Sequence, residues 1–175
     1  MELTLVMGVM GVVTSIAVVQ VGGSRQAFKG DGGMRVVLSQ MNQAREMAIT
    51  QRHAMRVSFV PPNLVQITRE EVPGPTLTVV SSVLMEGGMK FALVAGLPDS
   101  PDAFGNSAAV SFGSATEVKF RPDGTLVNQD GAALNGSVFI ASLGLDRLSA
   151  RVVNVLGSTG RVRAYRWDGG NWQPV

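Results

Sequence analysis

Residues 3–21 read LTLVMGVMGVVTSIAVVQV. No side chain in this run is charged, and only Thr4, Thr14, Ser15 and Gln20 are polar. The hydrocarbon core of a bilayer takes about 20 helical residues. The run is just long enough, so it predicts a transmembrane anchor. A signal-peptide apolar region is shorter, ~7–15 residues, with a basic stretch before it and a small-residue cleavage site after it. Neither flank is seen around this run. Glu2 precedes it directly. At a helix N-terminus an acid is favoured by the macrodipole. At the lip of a membrane helix an acid without a partner is costly.

Outward from this segment, Gly22-Gly23 and Gly30-Asp31-Gly32-Gly33 interrupt the helical pattern, and a kink or break is expected there. Helical periodicity then resumes, with Met34, Val37, Leu38, Met41, Ala44 and Ala48 on one face. That stripe reads as core packing. After His53 the period changes to two. Met55, Val57 and Phe59 alternate with Arg56 and Ser58, Pro61-Pro62-Asn63 turns the chain, and residues 64–68 return. Further strands are expected at 77–83, 90–94, 108–112, 118–121, 137–142, 151–155 and 161–167, with Gly- and Pro-rich turns between them. The expected fold class is α+β, a long N-terminal helix packed on an antiparallel β-sheet domain. Its parts are a membrane helix at 1–23, the helix continuation at 24–53 with a break at 30–33, and a β domain at 54–175.

Composition narrows the function. The chain has 175 residues, 45% of them hydrophobic and 16% charged, against about 25% charged in an average domain. A disordered chain is excluded. There is no cysteine and one histidine, His53, which excludes a disulfide frame, a thiol nucleophile and a zinc site of the usual ligands. No metal site and no cofactor is expected. A net charge of +2 does not indicate a uniformly basic nucleic-acid binder. His53 follows a helix end and reads as a surface or capping residue. Asp99 and Asp102 flank prolines in a loop and match no paired-carboxylate motif. Gly157-Ser158-Thr159-Gly160 lacks the lysine of a phosphate loop. The chain is not expected to be an enzyme.

Charge is segregated at the other end. Arg147, Arg151, Arg161, Arg163 and Arg166 follow one another without an acid between them. On a regular strand Arg161, Arg163 and Tyr165 share a face. Two guanidiniums and an aromatic ring are able to hold phosphates and stack a base. A solvated strand face explains the same pattern, so both readings stand.

The run from Glu2 to Val19 resembles the N-terminal helix of type IV pilins and type II secretion pseudopilins, in which a glutamate opens an apolar helix and a glycine follows nine residues later, here Gly11. Behind it stand Ala44-Arg45-Glu46-Met47-Ala48, Phe120-Arg121-Pro122-Asp123-Gly124 and Gly160-Arg161-Val162-Arg163, in that order. These are similar to the AR-x-x-A helix end, the F-x-P-x-G turn and the G-R-x-R strand of the GspH/FimT family of minor pilins and pseudopilins. The helix proline of many members is absent, Val18-Val19-Gln20-Val21 standing in its place.

The resemblance implies a structural subunit of a type II secretion pseudopilus or a type IV pilus. Glu2 and Gly11 would serve assembly, with Glu2 paired to the N-terminal amine of another subunit. The partners implied are other pilins or pseudopilins, the inner membrane and a prepilin peptidase acting on a basic leader that ends in glycine. Such a leader would place the β domain outside the cytoplasm. As written, Arg25, Lys29 and Arg35 after the anchor would place it inside. The competing expectation is a FimT-like subunit that binds DNA during uptake through Arg161, Arg163, Tyr165 and Arg166.

Overall fold

One helix, α1 (Glu2–Gln51), carries the chain from its N-terminal apolar run into the β domain. This computed structural model describes residues 2–74, 76–113, 115, 117–128 and 130–175; along α1, side chains are described for residues 6–15 and from 25 onward. Among the described residues, no helix is long and apolar enough to cross a membrane. The expected anchor at 3–21 falls partly on residues whose side chains lie outside that set, as does the side chain of Glu2.

The expected break at 22–23 and 30–33 is corrected: α1 is continuous through both glycine clusters. A glycine costs a helix only about 1 kcal/mol relative to alanine, and tertiary packing outweighs that at Gly30 and Gly33. Gly30 lies under the β domain, where a Cβ would stand 2.6 Å from the Ser149 carbonyl oxygen. Gly33 faces the Met89 side chain at 3.1 Å in the same way. These glycines let the helix approach the sheet closely. The helix ends at Arg52, which takes a left-handed φ of 55°.

Two antiparallel sheets follow. The first has the order β3-β2-β1-β6-β7, from strands β1 (Met55–Val60), β2 (Leu64–Glu70), β3 (Leu77–Leu84), β6 (Glu117–Phe120) and β7 (Leu126–Val127). The second has the order β11-β10-β9-β8-β4, from β4 (Met89–Phe91), β8 (Gly136–Ser142), β9 (Arg151–Leu156), β10 (Arg161–Trp167) and β11 (Trp172–Pro174). The two-residue β5 (Val110–Ser111) pairs with β8. Strands expected at 90–94 and 108–112 are shorter than read, while β7 and β11 were not expected. Both are two or three residues long, too short for a period-two pattern to register.

The main core lies between α1 and the two sheets. Met34, Val37, Met41, Ala44 and Ala48 of the helix, all fully buried, meet Met55, Val57, Val118 and Phe120 of one sheet and Val138, Ile140, Val153 and Val155 of the other. Phe59 joins the layers, stacked on Phe112 at 5.9 Å and edge-on to Phe91 at 5.7 Å. A second cluster covers the outer face of the β8–β11 sheet. Val152, Phe139, Tyr165, Trp167 and Trp172 pack there beneath Val94 and Leu97 of the loop that follows β4. The indole of Trp172 donates to the Pro98 carbonyl at 3.0 Å.

Candidate functional site

Three features of the structure bear on function. The first is the free part of α1. Val6, Met7, Val9, Met10, Val12 and Val13 are each 50–70% exposed. Polar groups do not interrupt this surface, because Thr14 and Ser15 return their hydroxyls to the carbonyls of Met10 and Gly11, each at 2.7 Å. A Cβ on Gly11 would meet nothing within 4 Å, so the fold of this chain does not require a glycine there.

The second feature is the junction at the opposite end of the helix, where the three short motifs behind the apolar run meet. Arg45 donates from Nε to the Gly124 carbonyl at 3.2 Å. Gly124 takes a φ of +81° in the β6–β7 turn, and Ile49 packs on its Cα side. Gly160, at φ +63° before β10, is wedged so tightly that a Cβ would collide with the Gly124 carbonyl and stand 2.8 Å from the Arg45 Nε. The Arg45 helix end, the Pro122-Asp123-Gly124 turn and the glycine of the Gly160-to-Arg163 segment thus form one lock between the helix and both sheets. Asp123 stiffens it by accepting from the backbone of Thr125 at 2.9 Å.

The third feature is β10. Arg161, Arg163 and Tyr165 share its outer face, as strand alternation requires. They do not form an open row of cations and a free ring. Arg163 pairs with Asp102 at 2.7 Å, and the Tyr165 hydroxyl donates to the other oxygen of the same carboxylate at 3.0 Å. Asn154, cross-strand from Arg163, donates to Asp102 at 2.9 Å and to the Ser100 hydroxyl at 2.8 Å. The Tyr165 ring is only 7% exposed and belongs to the cluster around Trp167. Burial pushes the Asp102 carboxyl up, but the donors Asn154, Tyr165 and Arg163 outweigh it and hold it below the usual carboxylate range. Arg161 makes no ion pair among the described residues and opens, with Asp102, Phe104 and Asn154, onto a cleft of about 240 Å³. Arg166 is exposed on the other face.

The C-terminal arginines are therefore not one run. Arg151 is 1% exposed and points inward, onto α1. It pairs with Asp31 at 2.7 Å and donates to the carbonyls of Ala27, Leu148 and Ala150. Strand alternation carries the signal for this: Arg151 precedes Val152 in β9, on the face that Val153 and Val155 also occupy. Asp31, the one acid between Glu2 and Glu46, is its counterpart in the sequence. The Asp102 clamp had no sequence signal beyond its place in a proline-flanked loop. His53 sits at the helix end with Nδ1 3.0 Å from the Glu70 carbonyl. Among the described residues no cluster of metal-ligating side chains forms.

No known family profile matches the chain, and no curated protein matches it in sequence. Two solved structures match it in shape. The type IV minor pilin FimU of Pseudomonas aeruginosa aligns over 75% of this chain and 84% of its own, with a TM-score of 0.50 and 14% identity. The minor pseudopilin EpsH from the Type 2 Secretion System of Vibrio cholerae aligns over 82% of this chain and 99% of its own, with a TM-score of 0.53 and 12% identity. The chain has the type IV pilin-like α+β fold of these minor subunits.

Proposed function

We propose that this chain is a minor structural subunit of a pilin-type filament, a type II secretion pseudopilus or a type IV pilus. In this reading α1 holds the subunit in the inner membrane with its β domain outside the cytoplasm, and then passes into the filament. The observation that carries it is the half-and-half helix. Residues 34–48 bury an apolar stripe in the β domain, while residues 6–13 expose large apolar side chains on every side. An exposed apolar surface of this kind marks a partner or a lipid environment, and a filament core supplies the first after the membrane supplies the second. Glu2 within a neighbour's apolar bundle would be costly unless paired, and a subunit's N-terminal amine is the natural partner.

Glu2→Val tests this. The variant should insert in the membrane as the parent does and fail to enter filaments. Normal incorporation would refute the assignment of Glu2.

A second reading is DNA binding during uptake, and the exposed Arg161, which forms no ion pair among the described residues, favours it; Arg166 lies on the other face of β10 and would not share its contact. Arg163 is partly neutralised by Asp102, so Arg161 would carry more of the phosphate contact. Arg161→Gln should then weaken binding to every sequence and flatten its salt dependence. Absence of DNA binding at low salt would remove this reading.

A further inference from the structure

The β domain grips α1 at residues 26–30. Arg151 donates to the Ala27 carbonyl at 2.7 Å, the Ser149 carbonyl lies over Gly30, and a Cβ on Gly87 would stand 3.5 Å from the Lys29 stem. Around this collar the surface is unusually apolar. Leu143 is 65% exposed, and Leu145 and Leu148 are 43% and 40% exposed in the turn that leads into β9. Phe28, on the free side of the helix, is 73% exposed. Three leucines and a phenylalanine left open on one end of a small domain are not explained by packing within the subunit.

We propose that this collar is a lipid-contacting foot, which seats the β domain on the headgroup layer of the membrane that holds α1. The proposal rests on the anchoring read above. Its distances come from the helix. The last large apolar residue of the run is Val21, the first charge is Arg25, and the collar begins at Gln26, five residues or about 7.5 Å beyond Val21 along an unbroken helix. The headgroup layer on one side of a bilayer is about 5–7 Å thick. The leucine turn therefore lies at the depth where apolar side chains enter the interface.

Charge agrees with a lipid occupant. Arg25 and Lys29, one turn apart on the helix, flank Phe28, and Arg147 lies in the leucine turn. None of the three forms an ion pair among the described residues. Of the nearby acids, Asp146 uses its carboxylate to cap the Leu148 amide at 2.8 Å, and Glu86 stands exposed. Arg147 spends one donor on the Ala95 carbonyl at 3.3 Å, so Arg25 and Lys29 are the cations best placed, beside the exposed leucines, to meet anionic headgroups above an acyl boundary.

The chain has no cysteine, so single nitroxide labels can be placed without background. The full-length protein is reconstituted in vesicles of phosphatidylethanolamine and phosphatidylglycerol, labelled at Leu143→Cys, Val13→Cys or Ser158→Cys. Accessibility to oxygen and to a water-soluble nickel chelate is then compared. Leu143 and Ser158 are exposed, so neither change removes core packing. Ser158 lies in the turn at the far, Arg45 end and serves as the aqueous reference. The foot predicts a deep Val13 label and a Leu143 label severalfold less accessible to the chelate than Ser158. A deep Val13 label with Leu143 as aqueous as Ser158 overturns the foot and leaves the anchor standing. An aqueous Val13 label overturns the anchor, and the foot with it.

Discussion

The guanidinium of Arg151 and the carboxylate of Asp31 sit 2.7 Å apart across 120 residues of sequence. The pair ties the first strand after the leucine turn to the middle of α1. Because Arg151 also satisfies three carbonyls, its removal leaves a carboxylate and several buried oxygens without donors. Breaking a buried pair from one side costs about 3–5 kcal/mol. Arg151→Met should lower the unfolding free energy of the detergent-solubilised protein by that amount, seen as a lower denaturation midpoint. Asp31→Asn should cost less, since the Asp31 side chain is 25% exposed and Arg151 keeps its carbonyls. An unchanged midpoint for Arg151→Met would show that the pair does not hold the helix on the sheet.

The helix glycines make a paired prediction. Gly30→Ala drives a methyl against the Ser149 carbonyl oxygen and should destabilise by about 1–3 kcal/mol. Gly32→Ala meets open space and should stabilise by about 0.5–1 kcal/mol through helix propensity. Equal effects of the two changes in urea unfolding would contradict the close approach at Gly30.

Asp102 sets a pH dependence. Burial works against its charged form, yet Asn154, Tyr165 and Arg163 hold its folded pKa below the ordinary value. Such a group contributes fully above the unfolded range, near about 3.9, and its contribution fades as pH falls through the lower folded value. Asp102→Asn should cost roughly 1–3 kcal/mol at neutral pH and should lose part of the acid dependence below pH ~4. Parallel stability–pH curves for parent and variant would rule the clamp out as the source.

Under the proposed function, a change at Gly11 would separate folding from assembly. Nothing lies within 4 Å of a Cβ built there, so Gly11→Ala should leave the isolated subunit as stable as the parent or slightly more so. Any fall in its incorporation into filaments then reports close helix packing between subunits. Unimpaired incorporation would remove Gly11 from the assembly surface.

These relationships divide by how far apart in sequence their partners are. The amphipathic stripe from Met34 to Ala48, the alternation of β1 and the order of helix before strands were legible, because each is a local period. The continuity of α1 was not: Gly30 and Gly33 look like breakers until Ser149 and Met89 are seen against them. The three motifs from Arg45, Gly124 and Gly160 were legible as separate strings, but their meeting in one lock is a tertiary fact. The arginine string misled in part. Its charge was counted along the chain, whereas Arg151 turns inward to Asp31 and Arg163 is held by an acid from a distant loop.

In the proposed filament the exposed apolar half of α1 packs against other subunits, which cysteine cross-linking along that half would detect. Val9→Cys and Val13→Cys variants, expressed with the filament's other subunits, are oxidised in sheared filaments against partner helices carrying matched cysteines. Such packing should give disulfide-linked species that contain this chain and vanish with Glu2→Val. Full insertion of the same variants in the membrane with no cross-linked species, and no chain in the filament fraction, would contradict it.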